Sequence, residues 1–182
     1  TSSWKRSAPA LWQLLHRKIY KTVGEQGPWI EEVFDAAVDG ARKFRDKTGL
    51  RLDALLGSAF GFDDSVVYLC PAPLYHAAPL GWSLATTRLG GTVVVMDRFD
   101  PVECLEAIER YGITHAQFVP TMFVRMLKLP EAQRRSYDVS TLRVAVHAAA
   151  PCPPDVKQEM IDWLGPVLLE YYAGSEGGGM TA

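Results

Sequence analysis

From about residue 64 onward the sequence predicts an α/β fold, a mostly parallel sheet with flanking helices. Three observations carry that expectation. Short β-branched apolar runs alternate with helix-length segments. The runs are apolar at nearly every position rather than at every second one. The segments between them open on proline or aspartate and close on glycine or proline. Strands buried on both faces read as continuous hydrophobic stretches, and repeated β-α-β is the pattern of a parallel sheet covered by helices. Of the 182 residues, 48% are hydrophobic and 22% charged, an ordinary composition for a domain with a real core.

The stretch before that sheet reads differently. Leu11, Leu14, Leu15 and Ile19, then Ile30, Val33, Phe34, Ala37 and Ala41, recur at helical spacing. Gly24, Gly27 and Pro28 separate two helices, and Gly49 stops the second. Residues 1–52 are therefore expected to form a helical segment of their own, and residues 53–182 the α/β unit. In that unit the strand-like runs fall at 66–70, 92–96, 116–119, 142–147 and 167–171. Asp100, Pro101 and Glu103 supply an N-cap, a proline at the first helical position and a capping-box acid, and Gly112 closes that helix. Pro120 opens a helix over 121–129, and Pro130 ends it. Pro153, Pro154 and Asp155 open another that runs through Trp163, with Gly165 and Pro166 behind it.

A formal net charge of −2 gives no electrostatic footprint for nucleic acid or an anionic membrane. Lys5, Arg6, Arg17, Lys18 and Lys21 are interleaved with apolar residues and answered by Glu31, Glu32, Asp35 and Asp39, as on a solvated helix face. Cys70, Cys104 and Cys152 lie far apart with no CxxC pairing, which predicts free thiols in a reducing cytoplasm rather than disulfides or a zinc site. No apolar run reaches the roughly 18 residues a membrane helix needs. The sequence begins at Thr1 and stops on a glycine-rich stretch at 177–182, so an internal piece of a longer chain is expected.

Ligands of such sheets bind at the carboxyl ends of the strands, which directs attention to three loops. After Cys70, Pro71, Pro73 and Pro79 stiffen a loop that carries Tyr75 and His76. A rigid turn with a satisfied histidine would read the same way. After His147 come Ala148, Ala149, Ala150 and Pro151, small residues that let backbone approach a flat ring, or that form an ordinary strand-to-helix turn. After Leu169, Tyr172, Gly174, Ser175 and Glu176 place an aromatic ring, a hydroxyl and a carboxylate on a glycine-rich turn. Tyr172 suits stacking on a base, Ser175 a phosphate oxygen, and Glu176 a hard cation such as Mg²⁺. His115 at a strand start reads as structural, His147 as a residue that could line the pocket, and His16 as helix surface. Residues 173–177 also fit a nucleophile elbow loosely, but that hydrolase fold places its histidine after the serine, and all four histidines precede Ser175.

Taken together, the segments PAPLYHAAPL, LGGTVVVMDRFDP and ITHAQFVPTMFVRML, with Tyr172-Ala173-Gly174-Ser175-Glu176 behind them, resemble the adenylate-forming superfamily. Bacterial fatty-acyl-CoA ligases are the nearest likeness, and it runs over residues 52–180. The resemblance implies part of the large N-terminal domain of such a ligase. It also implies that Tyr172 stacks on adenine, that Ser175 contacts the AMP phosphate and that Glu176 binds Mg²⁺. Ala149, Ala150, Pro151 and Gly174 would line the nucleotide pocket, His76 would stand near the acyl and thioester-forming site, and Thr121 and Met122 would flank the acyl tunnel. Ala173 and Ser175 stand where the family usually has glycine and threonine.

The implied substrates are a carboxylic acid, here expected to be a fatty acid, with ATP and CoA. The acid attacks ATP to give acyl-AMP and pyrophosphate, and CoA then displaces AMP. The family's Ser/Thr/Gly-rich phosphate loop with its lysine is not found within residues 1–75. The ribose aspartate and the terminal lysine domain would follow residue 182. The 182 residues alone are thus expected to be inactive, the alternative being a non-catalytic remnant or interaction module with the same fold.

Overall fold

The computed structural model describes residues 52–173 and 180–181. The helices expected before residue 50 lie outside the described residues. Helix α1 spans Leu52–Phe60 and leads into strand β1, Val67–Cys70. Helix α2, Ala77–Arg88, then returns to β2, Thr92–Val95. Helix α3, Pro101–Tyr111, carries the chain to β3, His115–Phe118. Helices α4, Pro120–Leu127, and α5, Glu131–Arg134, precede β4, Val144–His147. Helix α6, Pro154–Leu164, precedes β5, Leu168–Glu170. A separate two-stranded ribbon pairs β6, Tyr172–Ala173, with β7, Met180–Thr181, antiparallel.

The main sheet has the order β2-β1-β3-β4-β5, and every neighbouring pair is parallel. Alternation along the strands divides the interior in two. On one face Tyr68, Cys70, Val146 and Tyr171 pack with Leu56 and Phe60 of α1 and Trp82 and Ala85 of α2. On the other, Leu69, Ala116, Phe118 and Ala145 pack with Leu105 and Ile108 of α3, Phe123 and Met126 of α4, and Met160 of α6. Each fully buried aliphatic or aromatic side chain of this kind contributes on the order of 1.5–3 kcal/mol. The connection through α2 to β2 packs on the first face, and those through α3, α4 and α6 pack on the second, as right-handed crossovers running in opposite directions along a sheet require.

Local signals explain the best-defined helix. The Asp100 carboxylate accepts hydrogen bonds from the Val102 and Glu103 amides at 2.9 and 3.1 Å, and Gly112 closes α3 in the left-handed conformation at φ 60°. Two expectations need correction. The outer strands are not buried on both faces: Thr92 of β2 and Leu169 and Glu170 of β5 are exposed, because each of these strands has a sheet neighbour on one side only among the described residues. Pro79 does not stiffen the loop after Cys70. It lies in the first turn of α2, buried, and its carbonyl accepts from the Ser83 hydroxyl at 2.7 Å.

His115 has the structural role its position suggested. Buried at the start of β3, it sets Nε2 3.1 Å from the Phe60 carbonyl and Nδ1 2.9 Å from Thr114 Oγ1, with the Phe62 ring edge-on at 4.6 Å. The carbonyl can only accept, so Nε2 carries the proton and Nδ1 accepts from the hydroxyl. An ion pair between Arg88 and the buried Asp53, 2.7 Å long, ties α1 to α2. Cys70, Cys104 and Cys152 are all free, and burial pushes the first two thiols up to about 11 and about 12.

Candidate functional site

With all five strands parallel, every strand-to-helix loop emerges on one edge. The chain runs from β1 outward to β2 and returns to the other side of β1 at β3, so the order reverses between β1 and β3. Crevices of open α/β sheets form at that point. His76 lies in the loop after β1 and Thr121 at the start of α4, just after β3, on either side of the reversal. The alanine loop follows β4, and Tyr172 follows β5. The four loops therefore stand side by side in the sheet order β1, β3, β4, β5.

His76 is the N-cap of α2 in an extended conformation, exposed, and its side chain makes no capping bond. Its amide donates to the Pro73 carbonyl at 3.2 Å, and its ring lies 4.5 Å from that of Tyr75, which is itself exposed. Backbone thus fixes the residue while the imidazole is presented outward. At the next loop Val119 caps α4 and Pro120 takes the first helical position. Thr121 is exposed there, whereas Met122 turns into the second core.

The loop after β4 holds a feature that the sequence does not announce. Ala149 has φ 75°, the one non-glycine residue with positive φ among the described residues. That conformation costs a residue with a Cβ roughly 1–2 kcal/mol, and such strain persists at sites where the backbone is held for a purpose. Ala149, Ala150 and Pro151 are exposed, while Ala148 is buried beneath them.

Register then brings this loop to Tyr172. His147 is opposite Glu170 in the β4–β5 ladder, and the Tyr171 amide donates to the His147 carbonyl at 3.2 Å. Past the ladder, the alanine loop leaves the end of β4 and Tyr172 follows the end of the neighbouring β5, on the same edge of the sheet. The Tyr172 ring is 79% exposed, so a flat hydrophobic surface lies free beside a loop of small side chains. Gly174, Ser175 and Glu176 lie outside the described residues. Among the described residues no group of three or more His, Cys, Asp or Glu side chains could hold a metal ion.

Beneath the alanine loop, His147 is buried with neither ring nitrogen hydrogen-bonded. Its Nδ1 is 4.0 Å from Glu170 Oε1, and Phe123 meets the ring edge-on at 5.5 Å. Burial holds its pKa below the ordinary histidine value, Glu170 opposes that, and Lys157 reinforces it. Lys157 Nζ bonds Glu170 Oε2 at 2.5 Å, which holds the carboxyl below its usual range.

A parallel sheet with helices on both faces and a reversal in strand order defines an α/β protein of the open-sheet class, in which ligands bind at the carboxyl edge. Residues 49–182 match the family model described as AMP-binding enzyme. The chain belongs to that family, and its sheet is part of the N-terminal domain of an adenylate-forming ligase. It is similar to 4-coumarate-CoA ligase 1 of Narcissus pseudonarcissus, 34% identical over 121 residues, covering 66% of this chain and 21% of the relative. A feruloyl-CoA synthase of Amycolatopsis sp is 40% identical over 95 residues, covering 52% and 19%. Among solved structures, the amide bond synthetase McbA from Marinactinospora thermotolerans superposes with a TM-score of 0.58 at 28% identity, covering 79% of this chain and 26% of that one. The chain spans about a fifth of the length of these curated relatives.

Proposed function

We propose that the protein activates a hydrophobic carboxylic acid as its adenylate and transfers it to CoA. The observation that carries this reading is the alignment of the four loops on one sheet edge, with Tyr172 exposed beside the strained Ala149. In it the adenine lies on the Tyr172 ring against Ala149, Ala150 and Pro151, and Ser175 is the residue for the phosphate. One carboxylate together with substrate phosphates is the usual way a protein holds Mg²⁺, and Glu176 is the residue for it. Bound there, Mg²⁺ neutralises charge on the triphosphate. This chain's residues bind and orient: the acid lies toward the reversal between β1 and β3, with His76 and Thr121 on either side. Alignment of carboxylate and α-phosphate is worth several kcal/mol of barrier. The resemblance to fatty-acyl-CoA ligases favours a long aliphatic acid. The relatives named for 4-coumarate and feruloyl-CoA extend the class to aryl acids.

The test is carboxylate-dependent pyrophosphate release by the full gene product, over a panel of alkanoic and arylpropenoic acids, followed by thioester formation with CoA. Glu176→Ala is expected to slow adenylation on the order of 100-fold and to affect thioester formation from supplied acyl-AMP much less. Equal loss in both half-reactions removes the Mg²⁺ role. No pyrophosphate with any acid favours a nucleotide-binding module without turnover.

A further inference from the structure

Something must hold the end of β5 in place if it is to offer a ring to a nucleotide. Strand β5 is three residues long and stands last in the order of the sheet. Beyond Glu170 the bond from the Tyr171 amide to the His147 carbonyl is the last backbone tie to β4 among the described residues. The side chain of Tyr171 supplies the rest. It is buried, stacked on Trp82 with centroids 5.5 Å apart and planes 25° apart, and edge-on to Phe60 at 6.3 Å. Ring packing fixes the plane but leaves the hydroxyl needing a partner. Gln117 Nε2 donates to Tyr171 Oη at 2.6 Å, the larger of two side-chain hydrogen bonds that the hydroxyl has, the other being with Trp82.

Gln117 belongs to β3, and β4 lies between it and β5. At about 4.8 Å per strand spacing, the bond bridges two spacings and passes over the buried Val146. The amide is itself buried and has few other options. Its Oε1 accepts from Tyr68 Oη at the longer distance of 3.4 Å. A buried amide carries a large penalty when unpaired, so the short bond to Tyr171 sets where that hydroxyl sits. Tyr172 follows directly, without comparable burial of its own.

We propose that Gln117 is a positioning residue for nucleotide binding: through Tyr171 it fixes the strand end that presents Tyr172. This rests on the ligase reading above. The experiment measures MgATP binding by titration calorimetry on the full gene product and on Tyr171→Phe, Gln117→Leu, the double variant and Tyr68→Phe. A net hydrogen bond of ordinary strength predicts about 5-fold weaker MgATP binding for Tyr171→Phe and for Gln117→Leu. The double variant is expected to be no weaker than the weaker single, because the two residues act as one unit. In steady state the KM for ATP rises while the KM for the acid stays put.

Tyr68→Phe removes a hydroxyl from the same amide without touching the strand that carries Tyr172. It is expected to leave MgATP affinity within about 2-fold, since only the longer bond is lost. Unchanged affinity in Tyr171→Phe, or an equal loss in Tyr68→Phe, overturns the proposal. Should Gln117→Leu fail to fold, Tyr171→Phe decides, because it keeps the ring against Trp82. If the unaltered protein does not bind MgATP, the ligase reading fails and takes this inference with it. If it binds and the variants bind equally well, only the inference fails.

Discussion

Replacing Tyr172 with alanine separates binding from folding more cleanly than any other change at the edge. The ring is 79% exposed, so its removal takes almost nothing from either core. Exposed substitutions of this kind stay within about 0.5 kcal/mol of the parent stability. Stacking of an aromatic on a base is worth about 1–3 kcal/mol by alanine substitution. At about 1.4 kcal/mol per tenfold, that is roughly a 5- to 150-fold loss of ATP affinity. The binding effect should therefore exceed the folding effect several times over. The assay pairs MgATP titration calorimetry with thermal unfolding of the same samples, and Tyr172→Phe, which keeps the ring, should match the parent in both. ATP affinity within twofold of the parent for Tyr172→Ala would refute the stacking role. A melting point that fell along with the affinity would show instead that the ring supports the fold.

Two further outcomes concern the scaffold. Asp100→Ala removes the acceptor of the Val102 and Glu103 amides and should cost about 1 kcal/mol in urea unfolding, with Asp100→Asn largely restoring it. His147 and His115 are both held below the ordinary value of 6.5 by burial, so the unfolded chain takes up protons that the folded one refuses. The contribution of these two histidines to stability should be level above about pH 6.5 and fall as pH drops from there toward the folded values; His147→Asn should flatten part of that slope, and an unchanged slope would remove His147 as a contributor.

Much of the sheet was legible because its signals are local. The strand runs match within a residue or two, and Asp100 and Gly112 bound α3 where a cap and a left-handed residue were expected. Helix α2 was not legible. Its interior contains Pro79, Gly81, Ser83, Thr86 and Thr87, residues that ordinarily argue against a helix. Tertiary structure absorbs each of them. Pro79 sits in the first turn, where its missing amide is no loss. The three hydroxyls bond back to the carbonyls of Pro79, Trp82 and Ser83, four residues earlier. At Gly81 a Cβ would meet Leu52 Cδ2 at 3.2 Å, so glycine lets α1 and α2 approach. The places of Tyr172 and His76 beyond the ends of β5 and β1 were legible. Ala149 was not, because nothing marks an alanine for positive φ. Gln117 was hidden in an apolar run, where its partners across β4 depend on strand order.

The placement of β3 also bears on how the chain assembles. The bond from the Val67 amide to Thr114 Oγ1 joins residues 47 apart, across the whole excursion through α2, β2 and α3. A chain emerging from its amino end can pair β1 with β2 early, but the inner side of β1 stays open until β3 arrives. Closing so long a loop is entropically slow, and an open strand edge invites mispairing while it lasts. Helix α3, capped at both ends, lies within that excursion and would act as a preformed rod that shortens the search. On this account the Asp100 cap matters before the native state exists, and its loss should slow refolding rather than hasten unfolding. The opposite partition in stopped-flow kinetics would mean that α3 forms only after β3 has docked.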